Sequence, residues 1–299
     1  MDYFGLGTGE LLALTSAFIW GLGSVIYGII DKKINSFVIN LLSTIPAFIF
    51  QLSLIVVFGD LTKLYITDIR LLVILVSTAI IVTLVGITLF IESLKLSGVS
   101  IAVPVSSIMP LFTLFLALIF LGEVITPLIV LGTVAVIAGI SLLNIQKSGD
   151  KTKRKNVRKG IIYAIISAFS WSVSGLLITK FVLIELDPLY INTFRTGVQI
   201  IFLFVLISTL QKDAFNGILK IRKSQHLAMG VGGILNKSVG LILFLTSIQY
   251  IGLSLSTVIS CTYPLFAFVL AIVFLKEEIT RFKLIGISSI VSGTILLTL

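Results

Sequence analysis

The sequence predicts an all-α membrane protein: ten transmembrane helices in two inverted five-helix repeats around a central cavity. Three observations predict it. The 299-residue chain is 57% hydrophobic and only 12% charged, against about 25% charged in an ordinary soluble domain. Its apolar stretches recur at the length a bilayer demands, about 20 residues. The stretch Ser93–Thr126 returns as Ser247–Thr280: at an offset of 154 residues, 14 of 34 positions are identical, including Gly98/Gly252, Ser106/Ser260, Pro110/Pro264 and Glu123/Glu277. Such self-similarity marks an internal duplication, and in an apolar chain duplication points to a transporter.

The first half, residues 1–145, reads as spans over 10–30, 36–58, 70–92, 100–121 and 127–145. The N-terminus MDYFGLGTGE lacks the basic region of a signal peptide, so span 1 is expected to remain as an anchor. Glu10 opens that span and Trp20 lies half-way along it. Asn40 adds a polar group to span 2, and Glu92 ends span 3. Span 4 carries Pro104, Ser106 and Pro110. Proline removes a helix hydrogen bond and frees a carbonyl, so a bend is expected there. Irregular backbone at membrane depth requires protein or a water-filled cavity around it. Glu123 follows span 4, where it is expected to cap the next helix through backbone N–H groups. Ala135-xxx-Gly139 in span 5 is a small-residue pair that permits close helix approach.

Residues 146–159, QKSGDKTKRKNVRK, form a basic linker. The second half, 160–299, reads as spans over 160–182, 188–210, 227–249, 254–275 and 281–299. Ser16-Ala17-Phe18-Ile19-Trp20 recurs as Ser167-Ala168-Phe169-Ser170-Trp171, which puts Trp171 in span 6 where Trp20 stands in span 1. Tryptophan normally sits near span ends, so mid-span tryptophans suggest cavity walls or packing. Span 7 holds Asn192 and Arg195. Span 8 holds Gly230–Gly233, Asn236, Lys237 and Ser238. Ser256, Ser260 and Tyr263 share one face of span 9 beside Pro264, whose bend matches that of Pro110. Glu277 follows it, and Ser289-xxx-Gly293 gives span 10 its small pair. The two small pairs suit internal packing or a homodimer.

Five spans per half is an odd number, so the second half enters the membrane upside down. Loops after spans 1, 3, 5, 7 and 9 hold 17 of the 22 Lys and Arg residues; the opposite side holds Lys63, Arg70 and Lys180. The positive-inside rule places the 146–159 linker in the cytoplasm and both termini outside. The net charge of +9 therefore orients the chain on a membrane and does not indicate a nucleic-acid partner.

Both halves resemble the EamA-type repeat of the drug/metabolite transporter superfamily. In the first half the resemblance rests on Trp20-Gly21, Pro110-Leu111, and Leu121-Gly122-Glu123 followed by Gly132 and Gly139. In the second it rests on Trp171, Pro188 seven residues before Arg195, Pro264-Leu265, Glu277, Gly286 and Gly293. It implies ten helices in inverted repeats, with spans 5 and 10 peripheral, and transport of amino acids or other small metabolites, often outward. It also implies both termini in the cytoplasm, the reverse of the charge reading. The first half departs from the second by having Phe37 and Thr44 where the second has Pro188 and Arg195.

An ionisable group at mid-span costs about 2.5–3.5 kcal/mol on insertion, so it usually faces a cavity. Lys237 and Arg195 are therefore expected to line a site for a carboxylate or phosphate, with Glu92 as counter-ion or proton carrier; a buried ion pair and a snorkelling arginine are the bland alternative. Trp20, Trp171, Asn40, Asn192, Asn236, Ser106, Ser260 and Tyr263 complete the candidate lining. The single Cys261 excludes a disulfide and a cysteine metal site, and His226 stands alone. No metal or cofactor is expected. No GxxxxGK[ST] occurs, so ATP is not the direct driver. With one His, one Cys and no paired carboxylates apart from the loop pair Glu277-Glu278, an integral-membrane enzyme or lipid-handling protein is the remote reading. The leading expectation is a secondary transporter in the cell membrane, exporting a small polar metabolite such as an amino acid by alternating access. The alternative is an exchanger of phosphorylated or nucleotide-linked solutes.

Overall fold

A computed structural model describes residues 7–143 and 151–275, together with 285, 286, 288, 289, 292, 293 and 296. The described residues are helical or in short connections, with no strand among them. Several of the helices start where a side chain or a proline can satisfy or dispense with the first N–H groups. α1 covers Thr8–Gly28. α2 (Ser36–Phe58) begins behind Asn35, whose side chain accepts from the Phe37 N–H. α3 (Ile69–Ser97) begins behind Asp68, which accepts from the Arg70 N–H. Two short pieces follow, α4 (Val99–Ser106) and α5 (Met109–Phe120), then α6 (Pro127–Leu143).

In the second half α7 covers Lys151–Phe181 and α8 covers Pro188–Leu210, opened by its proline. α9 runs from Lys223 to Ser260, kinked at Gly252, and α10 covers Tyr263–Leu275. Six of these helices are long and apolar enough to cross a membrane, and α5 and α6 are shorter apolar helices. Most of the 281–299 stretch and Glu277 lie outside the described residues.

Three expectations change. Residues 151–159 do not form a loop: they are the basic first turns of α7. Span 4 is not one bent helix. It breaks at Ser107–Ile108, and Pro110 stands in the first turn of α5. Span 9 breaks the same way at Cys261–Thr262, with Pro264 in the first turn of α10. A proline inside a helix loses a hydrogen bond and clashes with the turn before it, whereas a proline in a first turn loses no bond. Thus Pro110 and Pro264 start new helices, whereas Pro104 lies within α4. The expectation that Ser256, Ser260 and Tyr263 share one face of one helix fails with the break, which puts Tyr263 on the next helix.

The duplication is visible in the backbone. Gly98 and Gly252, 154 positions apart, both adopt positive φ, +80° and +77°. Gly98 separates α3 from α4, and Gly252 joins two helical stretches at the kink within α9; a side chain at either would be strained. α3 and α9 each contain a π-helical turn, Val82–Ile87 and Ile234–Gly240, which overlap at the 154-residue offset. Such turns are rare and cluster at functional sites because they leave a carbonyl without its helical partner.

Glu123 does cap a helix, but not the next one. Its carboxylate accepts from the N–H groups of Leu253 (2.7 Å) and Ser254 (3.0 Å), so the first half caps the second. The small pairs meet each other inside the chain. Ser289 Oγ donates to the Ala135 carbonyl at 2.8 Å, and a Cβ on Gly293 would lie 2.8 Å from the Gly132 oxygen.

Candidate functional site

A cavity of about 180 Å³ lies between the two halves. α1 contributes Trp20, Ser24 and Tyr27. α3 contributes Phe90 and Ile91, and the α4–α5 break contributes Ser106 and Met109. From the other half come Trp171 and Ser174 of α7, Arg195 of α8, Asn236, Lys237 and Phe244 of α9, and Cys261 and Tyr263 at the α9–α10 break.

Each tryptophan packs on the π turn of the opposite half. Trp20 packs against Phe244 at a tilt of 45° with centroids 5.3 Å apart, and its indole N–H donates to the Asn236 carbonyl at 3.1 Å. Trp171 meets Phe90, also at 5.3 Å. The fit needs glycine beneath each ring: a Cβ on Gly240 or Gly86 would lie 2.5 Å from the Nε1 of Trp20 or Trp171, respectively. Ser106 and Tyr263 join the halves through a 2.8 Å hydrogen bond between their hydroxyls. Hence the two chain breaks, the two tryptophans and the two π turns all converge on one space.

Asn40 and Asn192 are not part of the lining. They serve the carbonyls that the π turns release. Asn40 Nδ2 donates to the Thr83 carbonyl at 3.2 Å, and Asn192 Nδ2 to the Lys237 carbonyl at 2.6 Å. Thr83 and Lys237 are equivalent under the repeat. Gln51, fully buried, adds a second donor to the Lys237 carbonyl at 3.0 Å. An unsatisfied carbonyl at this depth would cost several kcal/mol by order of magnitude, so these amides hold the turns in shape.

The two cations differ. Lys237 is only 6% exposed, and its ammonium donates to Asn40 O (2.9 Å), Asn40 Oδ1 (2.5 Å) and Thr44 Oγ1 (2.6 Å). An ammonium has three donors, and all are used. Arg195 is 4% exposed; its Nη2 donates to Ser174 Oγ at 2.9 Å, but its Nε has no acceptor. Neither cation forms an ion pair among the described residues.

Glu92 is not their counter-ion. It pairs with Lys95 at 3.0 Å, accepts from Ser36 Oγ at 2.5 Å, and does not line the cavity. Its place one turn from Lys95 at the end of α3 explains this. Ser260 is also outside the lining; its hydroxyl donates to the Ala13 carbonyl at 3.2 Å. The remaining candidates, Trp20, Trp171, Asn236, Lys237, Arg195, Ser106 and Tyr263, are brought together. Sequence reasoning missed Tyr27, Ser174, Phe90 and Phe244. Extending the 154-residue comparison upstream finds one pair, because it aligns Gly86-x₃-Phe90 with Gly240-x₃-Phe244.

A smaller recess of about 80 Å³, lined by Gly28, Lys32, Lys95 and Gly98 among others, shares Tyr27 and Ile91 with the cavity. It lies at the ends of α1 and α3 that carry the basic residues.

Comparison with known proteins agrees with this architecture. The model of the EamA-like transporter family matches residues 7–145 and again 158–299. An uncharacterized transporter of Archaeoglobus fulgidus is 28% identical over 97% of both chains. The protein LicB of Haemophilus influenzae is 30% identical over 46% of this chain and 47% of its own length. An uncharacterized protein of Methanocaldococcus jannaschii is 32% identical over 47% of this chain but 98% of its own, so it has the length of one half. A solved crystal structure shares the fold, with a TM-score of 0.71 over 98% of this chain and 99% of that one at 18% identity. Matched twice by one family model and along nearly its whole length by a transporter relative, the chain belongs to the EamA-like transporter family and is a multi-pass membrane transporter.

Proposed function

We propose that the chain is a secondary transporter that moves a small metabolite bearing a carboxylate or phosphate by alternating access. The observation that carries this reading is the cavity walled by both halves, with two buried cations on it and no acidic residue in its lining among the described residues. Alternating access is supported by inverted repeats that meet at a mid-membrane site. The ten-span arrangement follows if the 281–299 stretch supplies the tenth.

Orientation completes the reading. With the basic loops in the cytoplasm, the recess beside Lys32 and Lys95 is the cytoplasmic entrance. At the opposite end the Glu123 carboxylate ties the first half to Leu253 and Ser254 of the second. Such a form accepts its substrate from the cytoplasm, which suits export. Uptake into liposomes containing the purified protein, without ATP, tests the reading. Flux above protein-free liposomes is expected, and flux only on addition of ATP contradicts it. The pair of cations also favours a second reading, exchange of phosphorylated solutes. Counterflow decides: strict exchange needs solute preloaded inside.

A further inference from the structure

Resting on the transport reading, we infer that the cavity selects a compact organic monoanion with an apolar or aromatic body and no ammonium group, and that Arg195 holds its acid group. The donor count separates the cations. Lys237 has spent its three N–H bonds on Asn40 and Thr44. Arg195 keeps an Nε–H without an acceptor, although the side chain is 4% exposed and lines the cavity. A buried guanidinium with an idle donor is a costly group. A carboxylate supplies both the missing acceptor and the missing charge, and it matches the planar fork of arginine.

The remaining surface defines the body of the ligand. Trp20, Tyr27, Phe90, Trp171 and Phe244 supply rings, with aliphatic side chains between them. Few polar atoms remain for sugar hydroxyls, so a phosphorylated sugar would bury hydroxyl groups without partners. The volume of about 180 Å³ exceeds the roughly 150 Å³ of a cavity that takes up benzene, leaving room for a ring and a short acid arm. A zwitterionic amino acid fits poorly, because among the described residues no carboxylate in the lining receives its ammonium.

Binding to the purified full chain, measured by calorimetry and melting temperature, tests the inference independently of transport. Four probes share one ring: phenylacetate, 2-phenylethanol, phenethylamine and phenylalanine. Glucose 6-phosphate is the fifth. Phenylacetate is expected to bind at least about tenfold tighter than the others, the scale of one charge-assisted hydrogen bond. Arg195→Gln should weaken phenylacetate about tenfold or more and change 2-phenylethanol by less than about twofold; Arg195→Lys should restore part of the loss. If Arg195→Gln does not fold, Arg195→Lys and the five probes on the unaltered chain decide. Phenylalanine or glucose 6-phosphate binding as tightly as phenylacetate overturns the substrate class and leaves the transport reading standing. Phenylacetate binding unchanged in Arg195→Gln overturns the role of Arg195. Failure of every probe to bind overturns the class, and flux in liposomes then judges the transport reading on its own.

Discussion

At residue scale, Lys237 is a charged departure from the internal symmetry. Lys237 stands where the first half has Thr83, and its side chain reaches back to Asn40 and Thr44 of that half. It is a cation tethered across the repeat interface. Lys237→Met keeps most of the stem volume and removes three donated bonds. We expect this variant to insert and express normally but to lose transport, as measured by liposome flux at equal protein; retained flux would make the residue a packing element. Gly240→Ala should destabilise by about 1–3 kcal/mol, since its Cβ has no room beside the Trp20 ring. A melting curve unchanged from wild type would contradict that fit. The sequence singled out Lys237 and Arg195, because charge inside an apolar span is visible in one dimension, and both line the cavity. It could not show that Glu92 turns to Lys95 or that the asparagines face carbonyls. Those outcomes depend on side-chain direction and on the π turns, which leave no local signature.

At element scale, the working parts are the interruptions of helices. Two π turns, two glycine turns at positive φ and two breaks just before prolines lie in matching places in the halves. Glu123 ties one half to the first turn of a helix in the other. In Glu123→Gln only one side-chain oxygen remains to accept from Leu253 and Ser254. We expect a loss of about 1–2 kcal/mol, seen as a fall of roughly 2–8 °C in melting temperature. No change in melting would mean that water replaces the cap without cost. The prolines were legible as interruptions, yet a bend and a restart look alike in sequence; the difference lies in whether the preceding turn is helical. The helical start of α7 was hidden for another reason. A run of lysines reads as a solvated loop, but such residues also suit the exposed first turns of a long helix.

At the scale of the whole molecule, the twofold match of one family model and the cavity between the halves agree with a duplicated transporter scaffold. The duplication was legible because identities at one offset survive across long stretches. Orientation rests on charge alone, 17 cations against three. Reporter fusions at the two termini should be active only on the non-cytoplasmic side; a cytoplasmic C-terminus contradicts the assignment. The central claim is that the cavity opens to each side of the membrane in turn. Cys261, the sole cysteine, lines that cavity. In oriented vesicles, a small, negatively charged, membrane-impermeant thiol reagent should label Cys261 from either face, and bound substrate should slow both reactions. Labelling from one face only, or from neither, would contradict alternating access.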